Sequence, residues 1–114
     1  MPFINTKVSV PLSKENEQKL KMKLGEAIAI IPGKSERYLM LNFEDNCRLW
    51  LGGDNSKPTA FLEVSCLGAA QPDAYDEMTG FICDALEDIL GITGDRVYIK
   101  YTETVNWGWN GRNF

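Results

Sequence analysis

At 114 residues the chain has room for one compact domain (1–114), and its 44% hydrophobic content is enough to build a core. A net charge of −4, with no basic cluster beyond Lys19, Lys21 and Lys23, argues against nucleic acid, because neutralising phosphates calls for a positive patch. No apolar run reaches the length of a membrane span, and Pro2 to Lys7 has neither the basic start nor the apolar segment of a signal peptide. The expectation is a cytoplasmic protein without nucleic-acid or membrane partners, any release following a route that needs no signal peptide.

Phe3 to Val10 alternates, with Ile4, Thr6, Val8 and Val10 on one face, and predicts a strand with one buried side. Ser13 then suits a helix N-cap, with Glu15 and Glu17 in the first turn, where the helix dipole favours negative charge. Leu20, Leu24, Ala27, Ile28 and Ile31 follow at helical spacing, and Pro32-Gly33 predicts the stop. Tyr38 to Phe43 is a mostly apolar run and predicts a more deeply buried strand. A turn at Asn46, a short segment Arg48 to Leu51 and a Gly52-Gly53-Asp54-Asn55 loop come next.

The pattern then repeats. Thr59 to Cys66 alternates, with Ala60, Leu62, Val64 and Cys66 on one face. Pro72 and Asp73 open a second helix whose stripe is Tyr75, Met78, Ile82, Ala85, Leu86 and Ile89, and Gly91 is a natural C-terminal cap. Arg96 to Tyr101 predicts another strand. Strand–helix–strand units are right-handed and set their two strands parallel. Two of them predict an α+β two-layer sandwich: a four-stranded mixed sheet with both helices on one face. The other face would carry Phe3, Asn5, Lys7, Glu63, Ser65, Tyr98 and Lys100, too aromatic for bare solvent and too polar for a dry core. A half-covered sheet of this kind predicts a homo-oligomer.

Three widely spaced cysteines (Cys47, Cys66, Cys83), none in a C-x-x-C pair, predict reduced and mostly buried thiols. The chain has no histidine, which excludes Ser-His-Asp and Cys-His nucleophile arrangements and removes the commonest transition-metal ligand. A base working near neutral pH must then be a carboxylate, lysine, tyrosine, thiol or the N-terminal amine. Pro2 draws attention to the last of these. Initiator Met1 is normally removed before so small a neighbour, leaving a free secondary amine. Burial that favours its neutral form makes such an amine a general base.

Met1-Pro2-Phe3-Ile4-Asn5-Thr6, Gly33-Lys34 before Tyr38, Gly52-Gly53 and Cys66-Leu67-Gly68 occur in order along the chain. Asp95-Arg96-Val97-Tyr98-Ile99-Lys100-Tyr101 and Trp107-Gly108-Trp109-Asn110-Gly111, with terminal Phe114, complete the set. Together they resemble the macrophage migration inhibitory factor family of the tautomerase superfamily over essentially the whole length. The resemblance implies the doubled strand–helix–strand subunit with short extra strands, assembled as a homotrimer around a solvated channel with pockets at subunit interfaces. It implies that Pro2 is the catalytic base of a keto–enol tautomerisation that uses no cofactor and no metal. Its substrates would be small aromatic keto or enol carboxylates, phenylpyruvate-like or dopachrome-like. Lys34 would bind the substrate's anionic group, Leu67 line the pocket, and Tyr98 enter from the neighbouring subunit. Trp109 and Phe114 would form an aromatic wall, with Phe3 and Tyr38 bordering the same cleft.

Taken by themselves, the same residues have plainer roles. Lys34 suits a cation at a helix end, Tyr98 an ordinary strand position, and the tryptophans a core. Two departures from the family pattern stand out. Lys100 occupies a position where the vertebrate cytokines commonly have asparagine. It shares the strand face of Tyr98, so it either enters the cleft as a second cation or turns to solvent. The C-x-x-C pair of some members falls at Thr59 to Leu62, without cysteine, so thiol–disulfide activity by that route is not expected. Three classes of function stay open: a tautomerase, a signalling protein that binds a receptor, and a trimer without chemistry.

Overall fold

The computed structural model describes all 114 residues, Met1–Phe114. The first strand, β1 (Pro2–Val8), alternates buried and half-buried residues, with Pro2, Ile4, Thr6 and Val8 turned inward. Helix α1 (Lys14–Ile28) starts where Ser13 Oγ accepts the Asn16 N–H at 3.1 Å, with Glu15 and Glu17 in its first turn. Its buried stripe is Leu20, Leu24, Ala27 and Ile28. The helix stops at Ile28, four residues before Pro32. Ala29, Ile30 and Ile31 each donate to the carbonyl three residues back, at 3.2, 3.0 and 3.1 Å, and this tighter winding still delivers Ile31 to the core. The apolar spacing therefore outruns the helix itself.

Gly33, at φ +81°, then reverses the chain, and the Lys34 N–H closes on the Ile31 carbonyl at 3.1 Å. Glu36–Tyr38 forms one 3-10 turn, so Tyr38 precedes the next strand, β2 (Met40–Glu44), instead of opening it. That strand is not deeply buried. It lies at the sheet edge, paired only with β1, leaving Met40, Asn42 and Glu44 exposed and Leu41 and Phe43 half-buried. No strand forms over residues 48–51; Leu51 and Asp54 make a single bridge.

In the second half, β3 (Ala60–Leu67) buries Ala60, Leu62, Val64 and Cys66, matching its alternation. Helix α2 (Pro72–Leu90) buries Met78, Ile82, Ala85 and Leu86, with Tyr75 and Ile89 half-buried, and ends at Gly91 with φ +68°. Arg96 belongs to a 3-10 turn (Gly94–Arg96) ahead of β4 (Val97–Thr104). Its buried guanidinium donates to the carbonyls of Leu51 (3.3 Å) and Asp54 (2.9 Å) and to Thr59 Oγ1 (2.7 Å), tying the mid-chain loop to the sheet. Asn110 and Gly111, at φ +52° and +91°, turn a two-residue hairpin, β5 (Gly108–Trp109) and β6 (Arg112–Asn113). Asn-Gly suits the positive-φ hairpin turn.

The sheet runs β2-β1-β3-β4, with β1–β2 and β3–β4 parallel and the central β1–β3 pair antiparallel. It is the mixed four-stranded sheet with two helices that the duplicated pattern predicts. One core cluster joins the inward residues of β1 and β3 to both helix stripes. Thr6 Oγ1 lies in that core without a partner, a defect of about 1–3 kcal/mol for a buried polar atom. All three cysteines are free, but only Cys66 is buried, Cys47 and Cys83 being half-buried. The opposite sheet face stays open, and Tyr98 is 63% exposed on it.

Candidate functional site

The start of β1 places Pro2 at one end of the sheet, opposite Cys66 of β3, while Phe3 faces Ser65 on one side and Met40 on the other. The Leu67 N–H donates to the Met1 carbonyl at 3.1 Å, so the chain terminus is held in register with β3. Here a cleft of about 890 Å³ opens, floored by Met1, Pro2 and Phe3. Its size falls in the range of small-molecule sites, roughly 300–1,000 Å³.

One wall comes from the turn before β2, through Arg37, Tyr38 and Met40, and the other from Thr102 and Thr104 of β4 with Trp107 and Trp109. The aromatic residues brace one another. The Tyr38 ring meets Trp109 edge-on at 6.1 Å and 75°, and Trp109 stacks on Phe114 at 6.0 Å and 5°. The Phe114 N–H donates to the Trp107 carbonyl at 3.1 Å, folding the tail back on itself. The hairpin thus sets the orientation of Trp109.

Lys34 reaches the same end from the turn after α1. Its half-buried ammonium donates to the Leu67 carbonyl at 2.6 Å. An ammonium carries three N–H donors, so two others stay available for a ligand. The terminal amine of Met1 is held below its ordinary pKa, first by burial and then by the positive charge of Lys34. Both causes favour the neutral amine, the form that accepts a proton. Burial pushes the Cys66 thiol up, which keeps it protonated and poorly nucleophilic beside Pro2. No three His, Cys, Asp or Glu side chains gather as metal ligands anywhere in the fold.

Of the nine residues singled out from sequence, Pro2, Phe3, Tyr38 and Trp109 line the cleft. Leu67 and Phe114 touch its lining, Leu67 bonded to Met1 and Phe114 stacked on Trp109, and Lys34 in turn bonds Leu67. Tyr98 and Lys100 lie elsewhere in the same chain. Strand register aligns Pro2 with Cys66 and Cys66 with Glu103, five residues beyond Tyr98. At about 3.3 Å per residue that is roughly 16 Å along the strand. Tyr98 instead borders a separate hollow of about 230 Å³ with Trp50 and Phe61, and Lys100 pairs with Glu63 at 3.5 Å.

The whole chain, residues 1–114, matches the family model described as Macrophage migration inhibitory factor (MIF). The chain belongs to the macrophage migration inhibitory factor family. A relative named macrophage migration inhibitory factor, from Meriones unguiculatus, is 30% identical over 119 aligned residues, covering 100% of this chain and 99% of its own. Among solved structures, a MIF protein of Leishmania major superposes with a TM-score of 0.92 at 33% identity, over 100% of this chain and 97% of that one. A MIF homologue from Prochlorococcus marinus gives 0.81 at 32% identity, covering 98% of each. The MIF fold is therefore the fold of this chain, and with it comes membership of the tautomerase superfamily.

Sequence reading missed Arg37, Met40, Thr102 and Thr104, which also line the cleft. Thr102 and Thr104 were within reach of it. They follow the Tyr98–Lys100 alternation, so extending that strand three residues brings them beside Ser65 and Leu67. Arg37 gave no periodic signal, because it sits in a three-residue turn.

Proposed function

We propose that this MIF-family protein is a cofactor-free keto–enol tautomerase of small aromatic keto acids, phenylpyruvate-like or dopachrome-like, with Pro2 as its base once Met1 is removed. One observation carries the reading: the start of β1 floors an aromatic-walled cleft beside which burial and Lys34 both lower the pKa of the terminal amine of Met1, the place that a Pro2 amine would take over. The Pro2 nitrogen takes a proton from the carbon beside the substrate's carbonyl. The C–H electron pair forms the carbon–carbon double bond, and the carbonyl pair moves to oxygen. A proton delivered to that oxygen completes the enol, and the reverse sequence returns the keto form. Lys34 holds the substrate carboxylate and offsets the charge that develops on oxygen. Phe3, Tyr38 and Trp109 sandwich the ring and exclude water, with Phe114 backing Trp109.

The working unit in this reading is a homotrimer whose clefts lie between subunits. Tyr98 of the next subunit then closes each cleft, with Lys100 beside it. The exposure of large apolar side chains supports burial in an assembly: Met40 is 67% exposed, Trp50 64% and Tyr98 63%. The test is enolisation of phenylpyruvate by the processed protein, by Pro2→Gly and by a form that keeps Met1. Retained Met1 turns the prolyl nitrogen into an amide with no basic lone pair. The form that keeps Met1 is expected to lose about 10²–10⁴ of the rate, the usual worth of a general base, and Pro2→Gly, which still presents a primary amine, is expected to lose less. Full activity with Met1 in place overturns the mechanism.

A further inference from the structure

Arg37 is the one residue lining the cleft that has a charged side chain. The ion pairs of the molecule use Lys19, Lys21, Lys23, Arg96 and Lys100, and none uses Arg37. Its neighbour Glu36 turns the other way, to Lys21 at 3.7 Å. The guanidinium lies over the Tyr38 ring, 5.3 Å from the centroid, which fixes it against the aromatic wall. Tyr38 in turn meets Trp109. The chain thus sets an unpaired cation beside Tyr38 in the cleft, while Lys34, bonded to the Leu67 carbonyl, stands near Met1, whose own carbonyl accepts from Leu67. A guanidinium resting on a ring keeps its N–H fork at the edge, the geometry that grips a carboxylate with two parallel bonds.

We propose that Arg37 is a second anion-binding group, and that the preferred substrates are dianions: arylpyruvates with a second carboxylate on the ring, opposite the keto acid. The proposal rests on the tautomerase reading and narrows its substrate class. Lys34 holds the keto-acid carboxylate, the aromatic walls hold the ring, and Arg37 holds the far carboxylate. Phenylpyruvate, which lacks that group, gains nothing from Arg37. The ring edge nearest Arg37 thus decides between a neutral and an anionic substituent.

The test uses calorimetric titration of the processed protein with terephthalate and benzoate, beside turnover of 4-carboxyphenylpyruvate and phenylpyruvate. Terephthalate is expected to bind at least about tenfold more tightly than benzoate, the scale of one charged hydrogen-bonded pair. Arg37→Gln removes that advantage and Arg37→Lys restores part of it. In turnover, Arg37→Gln raises KM for 4-carboxyphenylpyruvate by about tenfold more than it raises KM for phenylpyruvate, with kcat for the dianion little changed. Terephthalate binding that Arg37→Gln leaves intact, or an equal loss for benzoate, overturns the proposal. Terephthalate selectivity without phenylpyruvate turnover upholds Arg37 and sinks the tautomerase reading. Turnover without terephthalate selectivity does the opposite.

Discussion

Lys34 bears on the chain terminus through its charge as well as through its hydrogen bond to Leu67. A cation beside an amine disfavours the protonated form, so the amine loses its proton at lower pH. Activity that needs a free amine then rises with pH through that lowered value. Burial and Lys34 lower the Met1 amine, and Lys34→Ala would leave only burial to act on the Pro2 amine exposed in its place. The acid limb of log kcat/KM against pH is expected to move to higher pH, so the variant loses more at pH 6 than at pH 8. An unmoved limb with a uniform loss would mean that Lys34 only binds substrate. At this scale the sequence was most informative where chemistry is unusual. Pro2, in a chain with no histidine, drew attention to the start of β1, and Tyr38 and Trp109 line the same cleft with it. Arg37 stayed hidden because Ser35-Glu36-Arg37 looks like any polar turn, and only the folded cleft separates Arg37 from its paired neighbours.

Strands and helices were legible wherever one face is buried. The alternation in β1 and β3 and the stripe of α2 follow directly from the core they build. The misreadings share one cause, which is that apolar composition does not say what will cover a residue. Tyr38 to Phe43 reads as a deeply buried strand, yet β2 begins at Met40 and has a neighbour on one side only. The β5–β6 hairpin has the reverse problem. Its Asn110-Gly111 turn is a strong signal, but two-residue strands are too short to show a period. Gly111 at φ +91° favours glycine strongly. Gly111→Val is expected to undo the hairpin and release Trp109 from Tyr38, raising KM for phenylpyruvate several-fold. The hairpin adds nothing to the core cluster, so the melting temperature should stay within a few degrees. A large drop in melting temperature would place the hairpin among the elements that hold the fold.

For the whole molecule, the decisive fact is that Tyr98 sits about five strand positions from the level of Pro2. A cleft that needs both must draw them from different chains. A form that keeps Met1 and Tyr98→Ala should each be nearly inactive alone. Unfolded together and refolded as mixed assemblies, they should recover about a quarter of the parental rate, since a given site takes one intact residue from each type by chance. No recovery, in particles whose mass matches three copies of the 12.8 kDa chain, would confine each site to one subunit. The bond between the Leu67 N–H and the Met1 carbonyl carries a consequence of its own. Cutting away Met1 removes that acceptor at the same moment as it creates the secondary amine. On the proposed mechanism the same event would uncover the base and leave the Leu67 N–H unpaired, on the residue whose carbonyl Lys34 already holds. Maturation on that mechanism would prepare both a place for a proton to go and a place for an oxygen to rest.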